Sequence, residues 1–534
     1  MIATPWKQIE TAGARLIDAE EPQARRRRLP DLTVWSLHLL IAIIVTLRHE
    51  MWRDELQAWA IARESTWPWE VVANTRFEGH PPTWHLLLWL GTHITSDPWM
   101  AHLISLACMA TAAWLVLMYL PATLPIRALI IFGYYPLYEM GVFARSYGLV
   151  FVLTAAVLAI SFGAARSEGG LRLGWVVVLL VLLATTAAQA VPLAGALALG
   201  VGIRHYRTLA PLRTAAAGAA VLAAGTASLL WSRPPRGTRN LDIPVVDSDQ
   251  IRRVLSGPVR VAWPLFEHVG TFWNQYITHD LGGLERWFGG AVLVVVAVVV
   301  RPTRPALVTW LLGAGGFLLL TQGAKLPMQA RQLTVLWVVL FATGWMVARD
   351  RLDQRDNHGA DATVAVADVV VADVARRFVV RAGVALILLG SAVGAMWPVA
   401  VDVRFPFSGG QGAAAWIRTH SDQTPAILCA TGAPFCSSVA IRLGEPAYMR
   451  ADSDPFTYVI WRRGQVRRAI PAADVVGEAR RLEVRLRRPV AIVSRFDNVP
   501  PGCEDGWTSP PTIEFTERFV VCFADQLTEG GTPP

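Results

Sequence analysis

The feature that most constrains this chain is a series of apolar runs, each close to the roughly 20 residues that a helix needs to cross a bilayer. The eleven main runs occupy residues 32–47, 99–119, 128–142, 148–165, 173–187, 191–203, 215–231, 288–300, 306–321, 333–347 and 378–396. Only 17% of the residues are charged, whereas soluble domains carry about 25%. The sequence therefore predicts an α-helical polytopic membrane protein.

The positions of the arginines predict how the chain is oriented, because Lys and Arg favour cytoplasmic loops. A twelfth, shorter apolar run at 84–94 decides on which side of the membrane the later loops lie. If this run does not span, the arginine-rich loops after it all lie in the cytoplasm; if it spans, they move outside and the rule fails. As a helix the run would reach only about 17 Å, so we interpret it as interfacial or re-entrant.

This interpretation gives about eleven spans, with the N-terminus in the cytoplasm and the C-terminus outside the inner (plasma) membrane. Four arginines at 25–28 precede the first run, and no small-residue cleavage site follows it. We therefore expect an uncleaved first span. The formal net charge of +8 is concentrated in the short loops between apolar runs, which argues against binding to nucleic acid.

The predicted topology divides the chain into five parts. They are a cytoplasmic tail (1–31), a membrane module (32–350) with a first outer loop at 48–98, a cytoplasmic linker (351–377), a last span (378–398) and an extracytoplasmic domain (399–534). In the last part, β-like runs at 426–430, 490–493 and 519–523 flank a helix-compatible stretch at 473–487. This pattern predicts a small α/β domain.

Four of the five cysteines lie in that C-terminal part, where an oxidising compartment favours disulfides. Cys429–Cys436 and Cys503–Cys522 are the local pairings, although the spacing alone does not fix them. None of the four belongs to a Cys-x-x-Cys pattern, which disfavours a zinc site. Cys108 lies inside an apolar run and is predicted to be a packed, small apolar residue.

The first outer loop carries the most informative polar residues. Asp54 and Glu55 are adjacent acids just after the first span, and the segment Glu78-Gly-His-Pro-Pro follows about 25 residues later. Taken alone, the first stretch also fits an ordinary amphipathic helix at the membrane surface, and the second fits a turn before a helix.

Together these two stretches resemble the GT-C superfamily of polytopic glycosyltransferases, in the bacterial branch related to protein mannosyltransferases and to aminoarabinose transfer onto lipid A. Two more segments match: Phe143-Ala-Arg-Ser-Tyr-Gly-Leu149, and the outer segment Lys325-Leu-Pro-Met-Gln-Ala-Arg-Gln332. Some family members have a second acid where this chain has Tyr147. The resemblance is strongest over the first 165 residues or so, and the C-terminal part resembles no family that we can name.

The resemblance implies transfer of a sugar from a polyprenyl-phosphate donor to an acceptor outside the cytoplasm, with inversion. Asp54 would be the catalytic base, with Glu55 assisting it or helping it to hold a divalent cation, Mg or Mn, that only some members use. The implied lipid-phosphate ligands are His80, Arg145, Lys325 and Arg331. The implied contacts to substrate or acceptor are Glu78, His85 and Tyr147. Trp273, in the outer loop at 232–286, is a further acceptor candidate because aromatic rings stack on sugars, although tryptophan near a membrane also fits the interfacial belt.

Two other functions compete with this one. The first is a transporter or flippase of lipid-linked glycans, although such proteins usually place ionisable residues within spans and carry internal repeats. The second is a non-catalytic scaffold in envelope assembly, which the missing second acid favours. The sequence shows few charges inside its apolar runs and concentrates its polar residues outside them, which favours the transferase.

Overall fold

The structure is a computed structural model that describes residues 28–163, 172–233, 248–324, 328–358, 367–461 and 469–527. It is mostly helical, with one small sheet near the C-terminus. In the first half, the helices are α1 (Arg28–Arg48), α2 (Arg53–Arg63), α3 (Pro68–Asn74), α4 (Thr83–Thr92), α5 (Trp99–Tyr119), α6 (Leu124–Ile131), α7 (Tyr147–Phe162), α8 (Leu173–Ala184), α9 (Val191–His205) and α10 (Pro211–Ser232). They are followed by α11 (Ser248–Ala262), α12 (Glu285–Val300), α13 (Arg304–Gly323), α14 (Ala330–His358) and α15 (Ala367–Arg404).

Within the described residues, seven helical segments are long and apolar enough to cross a membrane. They are Arg28–Arg48, Trp99–Tyr119, Pro211–Ser232, Ile277–Val300, Arg304–Gly323, Ala330–Gln354 and Ala382–Arg404. This result supports the membrane-protein class. It does not confirm the predicted count of about eleven spans.

The difference in count comes from four predicted spans that form shorter helices. α7, α8 and α9 have 16, 12 and 15 residues, and 16 residues rise only about 24 Å. The run predicted at 128–142 is interrupted after α6, because the backbone changes to a π-helical turn at Tyr135–Glu139. Pro136 lies in that turn, and proline cannot donate the hydrogen bond that continues an α-helix.

The run predicted to be too short to span forms α4, a helix of ten residues. Its buried side chains, Trp84 and Leu88 among them, pack in one apolar cluster with Trp59 of α2 and Ala101 of α5. α4 thereby fixes the position of the first loop against the start of α5.

Two regions are more helical than their hydropathy suggests. The loop predicted at 232–286 contains α11, an amphipathic helix that packs against α12. Arg260 of α11 donates two hydrogen bonds to Glu285, with N···O distances of 2.7 and 2.8 Å. Helices α14 and α15 also extend into both ends of the linker predicted at 351–377.

The C-terminal part folds as the small α/β domain that the sequence predicts. Its strands are β1 (Ala426–Cys429), β2 (Ala447–Tyr448), β3 (Val490–Arg495), β4 (Trp507–Thr508) and β5 (Phe519–Phe523). Their order in the sheet is β2-β1-β3-β5-β4, with β1 parallel to β2 and β3, and β5 antiparallel to β3 and β4. The domain's helices are α16 (Gly410–Thr419), α17 (Ala433–Leu443) and α18 (Ala472–Leu486).

Alternating side chains of the strands build an apolar core on each face of this sheet. Ile427 packs with residues of α16 and α17, whereas its neighbour Leu428 packs with residues of α18. Both local disulfides, Cys429–Cys436 and Cys503–Cys522, are present, with Cα–Cα distances of 5.8 and 5.5 Å. The predicted disulfides and strands are therefore confirmed.

The disulfides predict a simple labelling result. When the full-length protein is denatured without reductant and alkylated, we expect one labelled cysteine, Cys108, since it is the free cysteine. After reduction all five cysteines should react. Mass spectrometry of the peptides measures both states. Labelling of the C-terminal cysteines without reductant would contradict the disulfides.

Candidate functional site

The site begins at α2, the first helix after the first span. Asp54 and Glu55 lie in its first turn, where acidic side chains interact favourably with the helix dipole. Leu56, Trp59 and Ala60 of the same helix are fully buried. This packing fixes the position of α2. The orientation of the two acidic side chains then depends on their hydrogen-bond and ion-pair partners.

The two acids have different partners and therefore different roles. Glu55 is fully buried, and its carboxylate accepts hydrogen bonds from the backbone N–H groups of Ala144 (2.6 Å) and Trp52 (3.1 Å). It also lies 3.2 Å from His49 Nε2. These contacts join the start of α2 to the segment that carries Arg145, so Glu55 positions the site.

His49 extends this buried network to the last span. Its Nδ1 lies 2.7 Å from Asp402, whose carboxylate also accepts a hydrogen bond from the Tyr138 hydroxyl at 2.8 Å. Burial lowers the pKa of His49, but the carboxylates of Asp402 and Glu55 outweigh burial and raise it to about 10. A protonated His49 therefore lies between two carboxylates and holds α1, α2 and α15 together.

Asp54 faces a cluster of guanidinium groups. Its carboxylate is paired with Arg331 at the start of α14 and lies 3.9 Å from Arg145 and 3.8 Å from Arg53. The Arg145 guanidinium also donates a hydrogen bond to the Asp54 backbone carbonyl at 2.6 Å. Burial raises the pKa of Asp54, but Arg331, Arg145 and Arg53 together lower it to about 2. Asp54 is therefore ionised, and its side chain is still 28% exposed.

The turn before α4 and the first turn of α4 bring three more predicted residues near this cluster. Gly79 has a φ of +70°, a value that favours glycine. Burial and the positive charge of Arg145 lower the pKa of His80 to about 3, although Asp54 opposes them. His80 is therefore neutral beside Asp54. His85 is 3% exposed.

Glu78 is the second carboxyl group near Asp54. The Gln57 side-chain amide donates one hydrogen bond to Glu78 at 2.7 Å and another to the Val459 carbonyl at 2.7 Å. Burial and the negative charge of Asp54 raise the pKa of Glu78, whereas the hydrogen bond from Gln57 lowers it; burial is the largest of these effects. The resulting pKa of Glu78 is about 8. At neutral pH, Glu78 is mostly protonated and can donate a proton in a hydrogen bond.

The other predicted residues are placed differently. Tyr147 begins α7 and is 3% exposed. Burial raises the pKa of Tyr147, and the nearby charges of Arg145 and Arg331 oppose this. Trp273 is 6% exposed, and its indole N–H donates to Glu139 at 2.9 Å. Its ring packs against those of Trp52 and Phe143, so it is packed like a core side chain. Lys325 lies outside the described residues.

The C-terminal domain contacts this loop, which the sequence did not predict. The Arg53 backbone N–H donates to Glu517 at 2.9 Å, and its guanidinium donates to Thr516 at 2.8 Å. Arg442 donates to the Met51 carbonyl at 3.0 Å. Because these partners are hundreds of residues apart, no local pattern in the sequence indicates them. Gln57, by contrast, lies three residues after Asp54 on the same helix, and that spacing could have indicated it.

The predicted divalent cation does not fit these residues. Across the part of the chain that the structure describes, no group of three or more His, Cys, Asp or Glu side chains could hold a metal ion. Asp54 is paired with arginines, and Glu55 is occupied by His49 and backbone N–H groups. The mechanism proposed below therefore uses no metal.

Comparison with known proteins does not identify a family. No protein-family model matches the chain, and no curated protein matches it. The function proposed below therefore rests on the geometry of the site and on the sequence motifs that it contains.

Proposed function

We propose that this protein is an integral-membrane glycosyltransferase of the GT-C type, which moves a sugar from a polyprenyl-phosphate donor to an acceptor on the far side of the membrane. The observation that carries the proposal is the cluster of Arg53, Arg145 and Arg331 around the ionised, partly exposed Asp54. Seven helices of the described residues are long and apolar enough to cross a membrane, which supports a donor that is drawn from the bilayer.

The arginines supply the charge that such a reaction needs. A phosphate that leaves with the lipid gains negative charge in the transition state, and fixed positive groups stabilise it. Arg331 and Arg145 both reach the Asp54 carboxylate, so an anionic donor phosphate can replace part of this pairing. Guanidinium groups bind phosphate oxygens in a two-pronged geometry. His80 is neutral and would serve as a hydrogen-bonding partner rather than as a cation.

The chemical step is a single displacement at the anomeric carbon. The acceptor hydroxyl oxygen forms the new bond to this carbon, and the bond from the carbon to the phosphate oxygen breaks with its electron pair on the phosphate. Asp54 takes the hydroxyl proton, and the polyprenyl phosphate leaves. A carboxylate with a lowered pKa is a weak base at equilibrium, but it accepts the proton as the hydroxyl becomes acidic during bond formation.

Glu78 and Glu55 then have separate roles. Glu78, mostly protonated and hydrogen-bonded to Gln57, would orient a substrate hydroxyl or phosphate oxygen by donating to it. Glu55 holds the backbone of Ala144, one residue before Arg145, and so sets the position of that arginine. Trp273 keeps the predicted acceptor role only if its surroundings rearrange, because its ring is packed among other aromatic rings.

The direct test uses purified full-length protein in vesicles with a panel of polyprenyl-phosphate sugars. We expect one member of the panel to be consumed and polyprenyl phosphate to be released, at a rate that increases when an acceptor extract is added. If no donor is consumed while a labelled donor still binds, the transferase proposal fails and a binding or scaffold function is favoured.

The raised pKa of Glu78 predicts the pH dependence of transfer. Below about pH 8, Glu78 is protonated and neutral; above it, a second carboxylate beside Asp54 repels the donor phosphate. The rate should therefore fall as the pH rises through about 8. Asp54 has a pKa of about 2, so its ionisation should cause no change in the transfer rate between pH 5 and pH 9.

Glu78→Gln is the matched variant for that profile, because glutamine keeps the acceptor oxygen for Gln57 and cannot ionise. We expect the alkaline fall in rate to disappear in this variant. Rates measured from pH 5 to pH 9 for both proteins decide the point. The same fall in the variant would assign the transition to another group.

A further inference from the structure

A polar cavity that Asp54, Arg145 and Arg331 do not line lies where the first and last spans end beneath the C-terminal domain. It has a volume of about 270 Å³. Its walls include Arg48 and Glu50 at the end of α1, Asp402 and Arg404 at the end of α15, and Trp507 of β4. Because two spanning helices end at Arg48 and Arg404, the cavity lies at the level of the membrane surface.

Each of the two carboxylates of this cavity has one buried oxygen without a hydrogen-bond donor among the described residues. Asp402 is 1% exposed; one of its oxygens accepts from His49 and Tyr138, and the other, Oδ1, has no partner among the described residues. The buried Oε2 of Glu50 likewise has no partner there. Buried carboxylate oxygens are normally hydrogen-bonded, and leaving one without a donor is costly. The two unpartnered oxygens, Asp402 Oδ1 and Glu50 Oε2, therefore indicate a ligand that supplies N–H or O–H groups.

The two arginines indicate the other half of the ligand. Arg48 and Arg404 are exposed and form no ion pair with the described residues. Guanidinium groups at the level of the bilayer surface bind lipid phosphate. The two arginines of the cavity can therefore bind an anionic group of a ligand. Its two carboxylates can bind a cationic or hydrogen-bond-donating group of the same ligand.

We propose that this cavity binds the headgroup of a zwitterionic phospholipid, with its primary ammonium on Glu50 and Asp402 and its phosphate on Arg48 and Arg404. An ammonium supplies three N–H donors and so satisfies both unpartnered oxygens. The acyl chains would remain in the bilayer beside α1 and α15. Asp402 also contacts His49, which contacts Glu55, so the bound lipid would help to hold the first loop in place.

The test is lipid retention by the full-length protein, measured by native mass spectrometry. The delipidated protein receives equal amounts of phosphatidylethanolamine, phosphatidylcholine and phosphatidylglycerol with the same acyl chains. We expect one tightly held phosphatidylethanolamine, preferred about tenfold over phosphatidylcholine, since a quaternary ammonium cannot donate the hydrogen bonds.

Two variants test the assigned residues, and two control for them. Glu50→Gln and Arg404→Ala should each lose this preference, because each removes one side of the headgroup site. Asp422→Asn and Arg301→Ala, which change exposed residues elsewhere, should keep it. Arg404→Ala changes an exposed side chain and should fold normally. It therefore still tests the headgroup site if Glu50→Gln fails to fold.

Three results would overturn the proposal. Equal retention of phosphatidylcholine would show that no N–H donor is recognised. A preference for phosphatidylglycerol would show that the arginines act alone as an anionic-lipid site. Unchanged selectivity in both Glu50→Gln and Arg404→Ala would place the bound lipid elsewhere.

Discussion

Asp54→Asn is expected to lower the rate of sugar transfer by about 10²–10⁴-fold. Asparagine has nearly the same shape as aspartate but takes no proton and carries no charge to pair with Arg331. The side chain lies in the first turn of α2 and is partly exposed, so membrane insertion and folding should be preserved. Single-turnover release of polyprenyl phosphate measures the loss directly.

Asp422→Asn is the matched control for this variant, because it makes the same chemical change at an exposed aspartate of the C-terminal domain. Both variants should elute and melt like the wild type. Transfer by Asp54→Asn at more than about a tenth of the wild-type rate would remove Asp54 from the role of base.

Arg331→Ala is expected to lower the rate by about 10²–10³-fold, the range found when one electrostatic stabiliser of a transition state is removed. Arg331 pairs with Asp54, and its guanidinium also lies over the Trp52 ring, 5.2 Å from the centroid. Its loss therefore removes a phosphate ligand and leaves Asp54 with less positive charge around it.

Arg331→Lys should recover only part of that rate, because an ammonium keeps the charge without the two-pronged geometry. Arg301→Ala is the matched control, an exposed arginine at the end of another span. Equal rates for Arg331→Lys and the wild type would mean that charge alone matters. Wild-type transfer by Arg331→Ala would exclude Arg331 from the site.

The sequence predicted those features that depend on local pattern. The long apolar runs indicated the membrane class, and short β-like runs in the C-terminal part indicated strands at 426–430 and 519–523, which form β1 and β5. Local spacing also suggested both disulfides. By contrast, hydropathy did not show that Pro136 and its π-helical turn interrupt a predicted span, because proline and tyrosine scarcely change the mean over such a window.

The sequence predicted only those residues of the site that belong to local motifs. The sequence motifs contain Asp54, His80, Arg145 and Arg331, and the structure brings all four together. The partners that decide their chemistry are distant: Glu517 lies 464 residues from Arg53 in the chain. The distinct role of Glu55 likewise depends on the backbone N–H of Ala144, 89 residues away. Such pairs form only when the helices and the C-terminal domain are packed.

The transferase account is tested most directly by following both products of one donor. Vesicles containing the protein receive a polyprenyl-phosphate sugar labelled in its sugar and its lipid, together with the acceptor. The account predicts that each labelled sugar found in a new glycosidic bond is matched by one released polyprenyl phosphate. We also expect both products to form at least about a hundredfold more slowly in Asp54→Asn. Passage of the intact donor across the membrane, with no new glycosidic bond and no released lipid phosphate, would contradict it and favour a transporter.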